Sequence, residues 1–237
     1  KPIICIFGHD FIDGNFSNSW RIFKDKITWF YEIVQYACKK NEANWLIKEH
    51  PVDNTDKPII TARSVYNKFC LNKNNIKFLD ESLTPLHLVN SIDLITTVSG
   101  TVGLEFPCFG IPALIAGSSF YSDLGFTIEP KDKKDYFKVL DSILLNVKNY
   151  KLTSSQINIA QVYAFISYGL GYNECPLIPY YYWNRKKFDE NKFWADNLNL
   201  LENYDFSNDS FYKNLSIQLN NNFRNMISDS SYLNIAK

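Results

Sequence analysis

Up to about residue 150, short apolar runs alternate with segments whose apolar residues recur at helical spacing. The runs at 3–7 (IICIF), 44–48 (NWLIK), 76–79, 92–98 (IDLITTV) and 112–115 have strand length, and Gly8, Pro51 and Gly117 punctuate them. Between them, residues 27–38 place Ile27, Phe30, Tyr31, Val34, Ala37 and Cys38 on one helical face. Helices are also predicted at 61–71, 102–109 (entered through Gly100 and Gly103) and 135–147, with a short helical turn at 86–90. Strands alternating with helices imply a parallel sheet covered on both faces, and nearly all-apolar strands fit burial on both sides. The expected fold class is therefore α/β, a Rossmann-like parallel sheet flanked by helices, over residues 1–150.

Beyond residue 150 the pattern turns helical, rich in aromatic residues and Asn. Residues 153–167 read as a helix with Thr153 or Ser154 as N-cap, broken by Gly169 and Gly171. Residues 176–183 (PLIPYYYW) form an aromatic loop or extended stretch, 187–201 and 209–227 look helical, and the last ten residues are expected to fray. The expected second domain is a helical, aromatic-rich C-terminal extension, 151–237. No fixed-period repeat is evident.

At 237 residues and 46% hydrophobic content, the chain can bury roughly 70–75% of its unfolded surface. Its 25 basic and 25 acidic residues cancel, so no global field favours nucleic acid or an anionic membrane. Cys5, Cys38, Cys70, Cys108 and Cys175 form no C-x-x-C pair and read as buried free thiols of a reducing compartment. No run of about 18 apolar residues suggests a membrane span, and no signal peptide is read. A first residue other than Met suggests a piece of a longer protein or a removed start.

Ligands of open parallel sheets sit beyond the carboxyl ends of the strands. The residues there are His9 and Asp10 after the first strand, then Asp13, Gly14 and Asn15. Lys48, Glu49 and His50 follow the second; Asp80, Glu81 and Ser82 the third. Ser99, Gly100, Thr101, Val102 and Gly103 follow the fourth, with Glu105 one turn on; Gly117, Ser118, Ser119, Phe120 and Tyr121 follow the fifth. A helix opening on Ser-Gly-Thr-x-Gly offers free N–H groups and a positive dipole end to a phosphate, and glycine permits close backbone approach. Lys48 and His50 alternate on one strand end, so both can point the same way and complete a diphosphate site.

Each signal also has a plain alternative. The turn at 99–103 can be an ordinary strand-to-helix connection capped by Ser99 or Thr101, and His50 a simple loop residue. Lys48 can be a solvated strand end and Glu105 a carboxylate complementing the helix dipole. His9 and Asp10 can cap their loop; His87, on its short helix, reads as structural; the aromatics at 180–183 read as packing. Joint placement on one sheet edge is what favours function.

The strings WLIKEHP (45–51) and TTVSGTVGLEFPCFGIPALIAGSSFYSDLGFT (96–127), with the opening IFGHDFIDGNF and the helix carrying WFYEIV, resemble bacterial capsule polysaccharide biosynthesis proteins. That family includes the Kdo transferases and related GT-B glycosyltransferases, and the resemblance covers about residues 3–130. It implies half of a GT-B architecture, the C-terminal half that holds the nucleotide of an activated sugar. Carried over by position, Lys48 and His50 contact the donor phosphate and Ser99, Gly100 and Thr101 cradle it. Glu105 accepts hydrogen bonds from ribose or base, Gly117, Ser118 and Tyr121 close the cleft near the sugar, and His9 and Asp10 face the acceptor. Glu49 departs from some relatives; strand alternation is expected to turn it away.

The expected activity is transfer of a sugar from a nucleotide-activated donor to a capsular or surface polysaccharide. His50, Lys48 and the helix start would stabilise the leaving phosphate, and Asp10 or His9 would take the acceptor proton. No D-x-D element follows a strand convincingly, so neither an obligatory metal nor another cofactor is expected. Implied partners are the sugar donor, a glycan acceptor, a missing N-terminal domain of the same protein and, peripherally, membrane capsule-assembly machinery at the cytoplasmic side of the inner membrane. Two alternatives stay open: a CDP-activated phosphoryl or glycerophosphate-type transferase, and a non-catalytic module binding glycan or protein through the aromatic C-terminal third.

Overall fold

The structure, a computed structural model, describes residues 1–11, 22–51, 53, 59–170 and 189–220. The aromatic stretch at 176–183, the break at Gly171, Cys175, the loop residues Asp13, Gly14 and Asn15 and the chain end lie outside them. The described residues group into two compact units, Lys1–Tyr163 and Ala164–Lys237.

The first unit is built on a six-stranded sheet of β1 (Ile3–Phe7), β2 (Asn44–Lys48), β3 (Ile76–Phe78), β4 (Leu94–Thr97), β5 (Ala113–Ile115) and β6 (Thr127–Ile128). The order is β3-β2-β1-β4-β5-β6 and every pairing is parallel. This is the doubly wound Rossmann order, and the expected α/β class holds. β6 was not foreseen, because two residues are too few to show a period.

Alternation along the strands sorts side chains to two cores. Ile4, Ile6 and Leu94 join one cluster with α1 (Lys26–Lys39), α2 (Ala62–Phe69) and α5 (Lys133–Leu145). Cys5, Phe7 and Ile95 face the other with α3 (Pro85–Leu88) and the residues around α4 (Val102–Glu105). β4 is buried throughout, as a central parallel strand must be. Helix α1 is fixed by its sequence: Asp25 caps it through a 2.6 Å bond from Thr28 N–H, and Trp29, Phe30, Ile33, Val34 and Ala37 are fully or almost fully buried. Full burial of each such aliphatic or aromatic side chain is worth about 1.5–3 kcal/mol.

The helix expected over 102–109 divides into α4 and a 3-10 turn at Pro107–Phe109. Pro107 lacks the N–H that would continue the α ladder, and Gly110 at φ 81° stops the turn. Helix α6 (Ser154–Ala164) also belongs largely to the first unit. Gln156 Nε2 donates to Gly125 O (2.7 Å), Gln161 Nε2 to Cys108 O (2.8 Å) and Tyr163 OH to Phe120 O (2.5 Å). The contact boundary thus falls after Tyr163, later than the expected division at residue 150. The second unit holds a π-helical turn at Phe165–Leu170, α7 (Glu190–Glu202) and α8 (Ser210–Asn220). Among the described residues no helix is long and apolar enough to cross a membrane.

Candidate functional site

β1 has β2 on one side and β4 on the other, so the winding direction reverses between β1 and β4. Loops leaving their carboxyl ends go to opposite faces and leave a crevice. A cavity of about 240 Å³ opens there, lined by Phe7, Gly8 and His9 after β1, Lys48, Glu49, His50 and Pro51 after β2, Thr97 at the end of β4, and Gly100, Thr101, Val102 and Glu105 at the following turn. Pro85 at the start of α3 completes the wall.

The structure therefore brings His9, Lys48, His50, Gly100, Thr101 and Glu105 around one space. Ser99 stands beside them, its Oγ 3.4 Å from His9 Nε2. The His9 and His50 rings lie parallel, 6.2 Å between centroids and 4° between planes. Asp10 follows His9, and its carbonyl accepts a 3.4 Å bond from Lys26 Nζ at the start of α1. Burial lowers His9 to about 4, with the nearby Lys26 and His50 acting in the same direction. Burial also lowers His50, against the opposing pull of Asp10. Near neutral pH both rings are uncharged, hydrogen-bonding imidazoles.

Lys48 reaches the third strand's loop: Nζ donates to Asp80 O (3.3 Å) and Glu81 O (3.2 Å), which holds the ammonium at the cavity edge. Glu49, the residue after the end of β2, is among the residues lining the cavity. Its buried carboxylate is matched by Arg63 of α2 at 3.6 Å, which offsets the charge a phosphate would meet. His87 Nδ1 accepts from Thr84 N–H at 3.0 Å and closes the cap of α3, a structural part.

Three residues expected near the sugar do not line this cavity. Gly117 and Ser118 line a separate cavity beside Ser122, Asp123 and Glu129. Tyr121 is fully buried, its OH donating 2.6 Å to Gly100 O. A Cβ on Gly103 would lie 2.1 Å from that hydroxyl oxygen, so Gly103 makes room for Tyr121 rather than for a ligand. Tyr121 thereby buttresses the 99–103 turn from behind. Sequence reasoning missed Thr97 and Pro85 on the cavity wall: a threonine inside a β-branched strand and a proline at a helix start carry no chemical signal of their own.

Fold and cleft together define a doubly wound α/β domain with one crevice at its switch point. Neither a protein-family model nor a curated protein matches the sequence. Among solved structures the chain is similar to the UDP-GlcNAc 2-epimerase of Neisseria meningitidis bound to UDP-GlcNAc, at 13% identity and TM-score 0.45 over 71% of this chain and 44% of that one. It is also similar to KpsC, a β-Kdo 2,4-transferase of Thermosulfurimonas dismutans, at 18% identity and TM-score 0.41 over 68% and 44%. A third is HepE of Anabaena in complex with UDP-glucose, at 13% and 0.41 over 84% and 48%. The chain spans less than half the length of each of these proteins.

Proposed function

We propose that the switch-point cavity binds the phosphate portion of a nucleotide-activated sugar, and that the chain is the donor-binding domain of a glycosyltransferase building a bacterial capsular or surface polysaccharide. One observation carries this: the end of β2 (Lys48, His50) and the turn after β4 (Gly100, Thr101), distant in sequence and separated in the sheet by β1, line the same cavity. About 240 Å³ suits a diphosphate and leaves the base and sugar to the open crevice, since whole ligand pockets run about 300–1,000 Å³.

On this reading the neutral imidazoles of His50 and His9 and the amides of the 99–101 turn donate hydrogen bonds, and Lys48 supplies a cation at the rim. As the bond to the sugar breaks, charge develops on the leaving phosphate, and pre-placed donors stabilise it without reorganising. On the same reading His9, with Asp10 and Ser99 beside it, takes a proton from an acceptor hydroxyl. The acceptor comes from a further domain, and a cytoplasmic location goes with this reading.

Calorimetric titration with UDP-, GDP-, CMP- and CDP-linked compounds tests it. At least one should bind, and His50→Ala should weaken that binding and reduce donor turnover by on the order of ten- to a hundredfold in a catalytically active preparation. Binding and turnover unchanged in His50→Ala would remove His50 from the site; no binding of any nucleotide would remove the reading. The product formed from a CDP-linked donor separates sugar transfer from phosphoryl transfer.

A further inference from the structure

Four buried side-chain polar atoms among the described residues have no hydrogen-bond partner, and two of them, His9 Nδ1 and Thr97 Oγ1, belong to residues that line the cavity. Thr97 is 1% exposed and ends β4. Its neighbour Thr96, on the opposite face of the strand, is satisfied by the Tyr136 hydroxyl at 2.6 Å. A buried hydroxyl without a partner destabilises a fold, and valine would fill the same strand position with equal shape and no such cost. Thr97 therefore holds a hydrogen-bonding group in reserve.

Thr97 Oγ1 is crowded on its Gly100 side: a Cβ on Gly100 would lie 3.0 Å from it, with Val102 Cγ2 next at 3.6 Å. All three residues line the cavity, so the bare Cα of Gly100 is what leaves the hydroxyl its place at the cavity floor. Backbone conformation does not explain this glycine: among the described residues the positive-φ glycines are Gly110 and Gly125.

We infer that Thr97 is a ligand-binding residue whose hydroxyl donates a hydrogen bond to a phosphoryl oxygen of the bound donor, and that Gly100, by carrying no side chain, keeps that hydroxyl in place at the cavity floor. This rests on the reading of the cavity as a phosphate site and adds to it a contact at the cavity floor. A side chain at position 100 presses on the hydroxyl and displaces it. The loss from removing Thr97 is selective, because the free protein makes no use of the hydroxyl.

The test is calorimetry and thermal unfolding of the whole chain and its Thr97→Val, Thr97→Ser and Gly100→Ala variants, with UDP, CDP, GDP, CMP and inorganic pyrophosphate as probes. Thr97→Val is expected to weaken the tightest phosphate-bearing probe by about tenfold, the scale of one hydrogen bond to a charged group. Ligand-free Thr97→Val should unfold at the same temperature or higher, Thr97→Ser should restore binding to within about twofold, and Gly100→Ala should lose affinity as Thr97→Val does. Equal binding by Thr97→Val, or a lower unfolding temperature for it without ligand, overturns the assignment while the phosphate reading stands. Failure of the unaltered protein to bind any of the probes overturns both.

Discussion

His9 is the residue at which fold and pH meet. An unfolded imidazole titrates near 6.5, while burial and the neighbouring cations lower His9 to about 4 in the fold. Between those values the unfolded chain takes up a proton that the native protein refuses, so His9 makes stability fall as pH drops from about 6.5 to about 4, by up to about 3 kcal/mol. Asp53 works the other way: burial raises it to about 6, the native carboxyl protonates first, and stability is regained as pH falls through about 6 towards 3.8. Denaturation midpoints of His9→Gln between pH 7 and 4.5 should consequently fall less than those of the unaltered protein; parallel curves would contradict the burial account. Donor binding should respond oppositely. A bound anion favours the protonated imidazole, so affinity for a UDP-sugar whose diphosphate does not titrate should tighten as pH falls from about 6.5 towards 4, where His9 takes up its proton, measured by calorimetry. At the turn itself, Gly103→Ala drives a Cβ into the Tyr121 hydroxyl 2.1 Å away and should cost about 1–3 kcal/mol in urea denaturation.

Among the elements, β4 and the two long helices covering its first face are joined by one buried phenol. Tyr136 of α5 accepts from Trp29 Nε1 of α1 at 3.0 Å and shares a proton with Thr96 of β4 at 2.6 Å. Burial pushes the phenol's pKa up, so it stays protonated through ordinary pH. Tyr136→Phe keeps the ring and strands both partners, and should cost about 2 kcal/mol in denaturant midpoint. The same strand carries Thr97 to the other face, where the cavity lies. β4 thus divides two adjacent threonines between a structural network and the candidate site by its pleat alone.

Across the whole molecule, every residue that lines the cavity falls within the first unit, Lys1–Tyr163. A fragment ending at Leu170 should unfold cooperatively by circular dichroism and bind the same nucleotide as the full chain to within about threefold, since no cavity residue is removed. A fragment that folds but has lost binding would overturn that expectation.

Apolar period, length and glycine or proline punctuation are local signals, and they made the layered α/β class, five of six strands and the residues at the strand ends legible along the chain. They also placed Lys48, His50 and the 99–101 turn on the same edge of the sheet. Which of these share a space followed from long-range strand pairing. Strand order set Lys48 and His50 across β1 from Gly100 while leaving Gly117 and Ser118 on a different cavity, and order is a property of long-range pairing that no local pattern encodes. Tyr121 and Gly103 looked like ligand residues and proved to be partners in packing, because interpenetration of a ring and a bare Cα shows only in three dimensions. Thr97 went unnoticed for the same reason. A threonine in a strand is ordinary until its hydroxyl is found buried, unmatched and packed beside a glycine of the cavity wall.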